Sequence, residues 1–193
     1  DDTTRKTAVT NHYKWVEASK TLGCHSISVN AHGVSDDGAA LHTAAVDGLG
    51  MLASFAEKMG INVIVENHGG LSSDGKWLAG VIKEINMPGC GTLPDFGNFC
   101  LKHTDDGMGH SNCVEEYDRY QGVAELIPFA KAVSAKSYDF DAAGNETTID
   151  YTRMISIVKK SSYKGYLGVE YEGSRLSEYD GIKATKKLLE RLI

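Results

Sequence analysis

Apolar and polar positions follow two rhythms along this chain, and the rhythms take turns from one end to the other. Thr10 to Leu22 repeats its apolar positions at helical spacing and stops at Gly23. Ser26-Ile27-Ser28-Val29-Asn30 then alternates with the period of two expected of a strand. Ala39 to Met59 predicts a long helix with Leu41, Ala45, Leu49, Leu52, Phe55, Ala56 and Met59 on one face, closed by Gly60. Continuous apolar runs at Ile61–Glu66 and Tyr166–Glu170 read as buried parallel strands, with further strands at Thr92–Asp95 and Ala132–Lys136. The intervening helices fall at Asp74 to Ile85, near Val114 to Leu126 after a polar loop, at Asp150 to Lys160 and at Asp180 to Leu192. Asp74 and Asp150 are placed as N-caps.

Short strands separated by helices mean βαβ units and a parallel sheet of five strands, ending near Asn30, Glu66, Asp95, Lys136 and Glu170. Alternation puts Glu66 and His68 on one face of their strand, Ser134, Lys136 and Tyr138 on another, and Gly168, Glu170 and Glu172 on a third. A (β/α)8 barrel and a doubly wound sheet both place functional groups at C-terminal strand ends, so the pattern alone leaves both open. No strand is followed by a Gly-rich phosphate loop, because Glu66-Asn67-His68-Gly69-Gly70 lacks the Walker lysine and the GxGxxG spacing. Glu66, Asp95 and Glu170 each close a buried run. One such carboxylate can be satisfied by its own loop's N–H groups, whereas three converging ones point to a shared hard cation.

Composition narrows the classes. At 193 residues, 41% hydrophobic and 24% charged, the chain can build one domain with a real core. A net charge of −6 with no Lys/Arg stripe argues against a nucleic-acid-tracking surface, and no apolar run is read as a membrane span. The chain opens Asp1-Asp2-Thr3 without a methionine, so the localisation is left unknown: cytoplasmic, or periplasmic or exported if a signal peptide was removed. Cys24, Cys90, Cys100 and Cys113 show no metal-finger spacing; Cys100 and Cys113 flank a polar loop and are read either as a disulfide or as small buried thiols.

Four blocks carry a resemblance: Glu-Asn-His-Gly-Gly at 66–70, Leu-Pro-Asp-Phe-Gly-Asn-Phe at 93–99, Ser-Ala-Lys-Ser-Tyr-Asp-Phe-Asp at 134–141 and Gly-Tyr-Leu-Gly-Val-Glu-Tyr-Glu-Gly at 165–173. In order and spacing they resemble the xylose isomerase-like TIM-barrel superfamily, and within it the sugar phosphate isomerases/epimerases, from about residue 10 to the end. The resemblance implies a (β/α)8 TIM barrel of which residues 1–193, a single domain, form the C-terminal five βα units of a chain of roughly 250 residues or more. It also implies a divalent metal (Mn²⁺, Mg²⁺ or Zn²⁺) on Glu66, Asp95 and Glu170. Two departures stand out. The family's usual histidine ligand on the next-to-last strand is replaced by Ser134, with His68 or water to fill the gap. Asn98 stands where sugar epimerases often place a histidine.

The implied chemistry is proton transfer next to a carbonyl, by an isomerase or epimerase acting on a small carbohydrate. Glu66 and Glu170 would be the acid/base pair, and Lys136 would neutralise a developing oxyanion. His68, Asn98, His32 and Ser134 are assigned to substrate, while His12, His25, His42, His103 and His110 read as surface or helix positions. A lyase on a keto-sugar would use the same residues. An apurinic endonuclease would need many histidines and a basic groove, and a Schiff-base aldolase on Lys136 lacks an evident desolvating pocket. A degenerate, non-catalytic barrel that binds sugar or a partner is the other alternative; homo-oligomerisation is left open.

Overall fold

In the computed structural model the described residues are 1–35, 37–105 and 111–193. Helices and strands alternate as α1 (Asp2–Leu22), β1 (Ser26–Asn30), α2 (Gly38–Glu57), β2 (Asn62–Glu66), α3 (Gly75–Ile85) and β3 (Cys90–Leu93). A hairpin of β4 (Cys100–Asp105) and β5 (Ser111–Glu116) interrupts this alternation. It resumes with α4 (Arg119–Leu126), β6 (Val133–Ser137), α5 (Tyr151–Lys160), β7 (Leu167–Tyr171) and α6 (Glu178–Leu192). Each helix starts where a short polar side chain can take an otherwise unpaired N–H. Asp1, Asp37, Asp74, Asp118 and Asp150 accept from the first turns of α1 to α5, and Ser177 does so for α6. The expected caps Asp74 and Asp150 are among them.

Instead of the single five-stranded sheet expected, the parallel strands form a three-stranded sheet, β1-β2-β3, and a two-stranded one, β6-β7. Asn30 lies opposite Glu66, Glu66 opposite Leu93 and Lys136 opposite Glu170. Between β3 and β6 the ladder thins to two isolated bridges, Thr92 with Ala130 and Asp95 with Ser134. Pro94 accounts for this: it has no N–H to give, so it only accepts, through its carbonyl, from Ser134 N at 2.9 Å. Beneath the sheet the core forms two clusters. Leu52, Ala56, Val63, Val65, Leu78 and Val81 knit α1–α3 to the first strands, and Phe96, Phe99, Val123, Ala135, Met154, Ile155 and Leu188 knit α4–α6 to the last.

Four elements differ from expectation. The run at Tyr166–Glu170, expected to be buried, forms β7 with no fully buried residue, and Tyr166 before it is exposed, because β7 has a strand neighbour on one side only. Helix α1 begins at Asp2 rather than Thr10. Its added turns bury little beyond Val9 and are held by Arg5, whose guanidinium pairs with Asp2 and with Asp47 of α2 at 2.7 Å each. The expected polar loop before α4 is the β4–β5 hairpin, closed by a Cys100–Cys113 disulfide, and it takes Val114 into a strand. His110 falls outside the described residues. Finally, α2 has 20 residues with an 18-residue window of mean hydropathy 1.2, so by length and composition it could cross a bilayer, contrary to the expectation of no such run. Its Leu49, Leu52, Ala53 and Ala56 pack into the core.

Candidate metal centre

The site is built at the C-terminal ends of β2, β3, β6 and β7. Glu66 is the last residue of β2, and the chain turns sharply after it through Gly69 (φ 88°) and Gly70 (φ 59°), conformations that suit residues without a Cβ. The turn is pinned from both sides. Ser72 and Ser73 hydroxyls accept from His68 N and Gly69 N, and Ser73 Oγ donates to Asn98 O at 2.7 Å. The fully buried Asn67 bridges to the next strand, its Oδ1 accepting from Asp95 N at 2.8 Å and its Nδ2 donating to the carbonyls of Asp95 and Asn98.

Asp95 is fully buried just beyond β3. Its Oδ1 accepts from Gly97 N and Asn98 N at 2.8 Å each, while its Oδ2 is buried with no hydrogen-bond partner. One carboxylate oxygen each from Glu66, Asp95 and Glu170 lies within 4.8 Å of the others, the one such acidic grouping among the described residues. Glu66 accepts from Asn98 Nδ2 at 3.1 Å, and Glu170 Oε2 accepts from Ser134 Oγ at 2.7 Å. Lys136 has its ammonium buried between acceptors: Asn98 Oδ1 at 3.0 Å, Glu172 Oε1 at 3.1 Å and Glu170 Oε1 at 3.4 Å.

Electrostatics follow from this placement. Burial pushes Asp95 up to about 6 in spite of Lys136 nearby. Burial likewise raises Glu66, with Glu170 adding to the effect. For Glu170 burial acts upward too, but the Ser134 hydroxyl and the Lys136 ammonium outweigh it and hold the carboxyl below its ordinary value. Burial alone would lower Lys136; Asp95 and Glu170 reverse that and keep it charged.

The donor set fits a hard divalent cation. All its members are oxygens, and Asp95 Oδ2 is a buried acceptor with no hydrogen-bond partner, leaving it a free lone pair to offer a cation. The structure therefore brings together Glu66, Asp95, Ser134, Lys136, Glu170 and Asn98 of the expected residues. His68 and His32 lie exposed in the loops after β2 and β1. Ser134 faces Glu170, and both ends of the Asn98 amide are held by Glu66 and Lys136. Asn67 and Glu172 were not assigned roles from the sequence. Asn67 reaches residues 28 and 31 positions away, which periodicity does not show, whereas Glu172 shares a strand face with Glu170. A separate cavity of about 590 Å³, lined by Tyr120, Glu146, Asp150 and Leu188 among others, contains none of these groups.

The solved structures that this chain resembles share its fold. They include a D-tagatose 3-epimerase-like protein (TM-score 0.70, 16% identity, covering 100% of this chain and 70% of that one). An IolI protein with a bound zinc atom matches with a TM-score of 0.68 at 16% identity, over 100% of this chain and 71% of that one. A xylose isomerase domain protein from Planctomyces limnophilus matches with a TM-score of 0.65 at 18% identity; the chain spans 65% of its length, with 98% of this chain covered. In sequence, 66 residues are 39% identical to the C-glycoside deglycosidase alpha subunit of Arthrobacter globiformis, covering 33% of this chain and 19% of that subunit. The model of the xylose isomerase-like TIM-barrel family matches residues 1–193, and the chain belongs to that family.

Proposed function

We propose that these residues are the C-terminal five βα units of a (β/α)8 barrel enzyme, a metal-dependent isomerase or epimerase of a small carbohydrate. The observation that carries this reading is the bare, buried Oδ2 of Asp95 at the point where Glu66 and Glu170 converge. Likeness to an epimerase-like structure and to one holding zinc supports it. Glu66, Asp95 and Glu170 would hold Mn²⁺, Mg²⁺ or Zn²⁺, which when bound lowers the cost of negative charge on a substrate carbonyl oxygen.

The chain's own residues supply the rest. One of Glu66 and Glu170 takes a proton from the carbon next to the carbonyl, so that the C–H electron pair moves toward the carbonyl oxygen; the other returns a proton to the same or the adjacent carbon. Their environments hold Glu66 above and Glu170 below the ordinary range, the kind of separation that lets two carboxylates take different roles. Lys136, charged and nearly solvent-free, stabilises the oxyanion as it develops. His68 and His32, exposed in the loops after β2 and β1, would meet substrate hydroxyls.

The test joins two measurements. Calorimetry should show Mn²⁺ uptake that Asp95→Ala abolishes, and a cognate sugar should exchange a C–H with solvent deuterium only in the presence of metal. No uptake by the wild-type protein would remove the metal reading. A second reading, a lyase on a keto-sugar, draws on the identity to the deglycosidase subunit. It predicts release of a leaving group together with the exchange.

A further inference from the structure

The Lys136 ammonium has three N–H bonds and three acceptors around it, and the nearer carboxylate is Glu172, not the proposed ligand Glu170. Glu172 stands just past the end of β7 on a fixed backbone. Its N–H donates to Ser137 O at 2.8 Å, and a side chain at the following Gly173 would run into Tyr138 O and the Tyr171 ring. Its side chain is 49% exposed at the rim, whereas Lys136 is 2% exposed. Neighbouring members of one strand face, Glu170 and Glu172 thus flank a single buried cation.

We propose that Glu172 is a positioning residue for Lys136: it draws the ammonium toward the rim and Asn98, and so leaves Glu170 to a bound divalent cation. This rests on the reading of Glu66, Asp95 and Glu170 as metal ligands. A buried ammonium without water must find acceptors in the protein. Remove the Glu172 charge and the carboxylates left to Lys136 are two of the proposed ligands, Glu170 at 3.4 Å and the nearby Asp95. Ammonium and divalent cation then contend for the same carboxylates and repel each other across a few ångströms of poorly screened space.

The test is a double-mutant cycle read by Mn²⁺ affinity. Glu172→Gln should weaken Mn²⁺ binding about tenfold, the scale of one strong pairwise coupling. In a Lys136→Met background, where no ammonium needs positioning, the same substitution should change affinity less than about twofold, within the error of additivity. An equal loss in both backgrounds means that Glu172 acts only as a nearby negative charge, and overturns the proposal. Should Lys136→Met fail to fold, Glu172→Asp serves instead. It keeps the charge but shortens the reach, so it should weaken binding as Gln does; near wild-type affinity overturns the proposal. A crystal structure of metal-free Glu172→Gln provides a readout independent of metal. Movement of Nζ toward Glu170 or Asp95 is expected, and an ammonium unmoved from its wild-type place overturns the proposal. Failure of the wild-type protein to bind Mn²⁺ would instead strike the metal reading, with the crystal structure still deciding the role of Glu172.

Discussion

Asp95 commits Oδ1 to the N–H groups of its own turn and leaves Oδ2 bare, so the metal-free protein carries a desolvated carboxylate that a cation would relieve. A ligand that binds only the folded state at a hundred times its Kd stabilises by about 2.7 kcal/mol. In a chain of this size that is a rise of roughly 5–10 °C in Tm. Saturating Mn²⁺ should give that rise in a thermal scan, and Asp95→Asn, which keeps the Oδ1 acceptor, should abolish it while leaving the metal-free protein at least as stable. At the same scale, Glu170→Gln should cut turnover about 10²-fold or more, the usual weight of a general acid or base, with substrate binding largely kept. A variant with near-normal turnover would end its role as acid or base. Much of this was legible in the sequence. One carboxylate closing an apolar run can be satisfied by its own loop, but three of them on successive strands stand out in the sequence. What the sequence concealed were the links between strands: Asn67 to the Asp95 loop, and Asn98 between Glu66 and Lys136. Each is a polar residue in a loop whose partner is fixed only when separate strands come side by side.

Among the elements, those with a one-sided apolar pattern were legible, and those held by other forces were not. Helix α3, with Leu78, Val81 and Ile82 buried on one face and Asp74 at its head, lies where its periodicity puts it. The opening turns of α1 have no such face and depend on Arg5 bridging Asp2 and Asp47. In the β4–β5 hairpin, Lys102, His103 and Thr104 leave both faces polar, so the period of two has nothing to mark it. The disulfide takes over part of the work that a buried face does elsewhere. Closing a loop of this length contributes up to about 3 kcal/mol in the chain-entropy account. Replacing both Cys100 and Cys113 by serine should therefore lower stability by about 2–3 kcal/mol in urea titration. Thiol labelling supplies an independent check. Exposed Cys24 should react in the native protein, whereas Cys90, buried and with its thiol pushed up to about 11, should react only on unfolding. Four labels without a reduction step would show that the hairpin is not cross-linked.

At the scale of the whole molecule, the sheet poses a problem that its helices do not solve. Strand β2 is paired on both sides, but among the described residues β1 and β7 each have one strand neighbour. Both are parallel strands with apolar side chains, and an uncovered parallel edge is a template for unwanted pairing. Glu170 and Glu172, the groups on which the proposed chemistry turns, sit on one of these edge strands, and their side chains are 41% and 49% exposed. A site of this kind works best with water excluded. The proposal that these are the last five βα units of a (β/α)8 barrel answers both difficulties, since further strands would join β7 to β1 and wall the open side of the site. It makes a measurable prediction in amide hydrogen exchange. In the intact protein the outward N–H groups of β1 and β7 should exchange as slowly as those of β2. In residues 1–193 produced alone they should exchange within the dead time, and sedimentation should show self-association through the bare edges. If residues 1–193 alone prove monomeric, with both edge strands protected, the sheet closes without further strands and the eight-stranded reading fails.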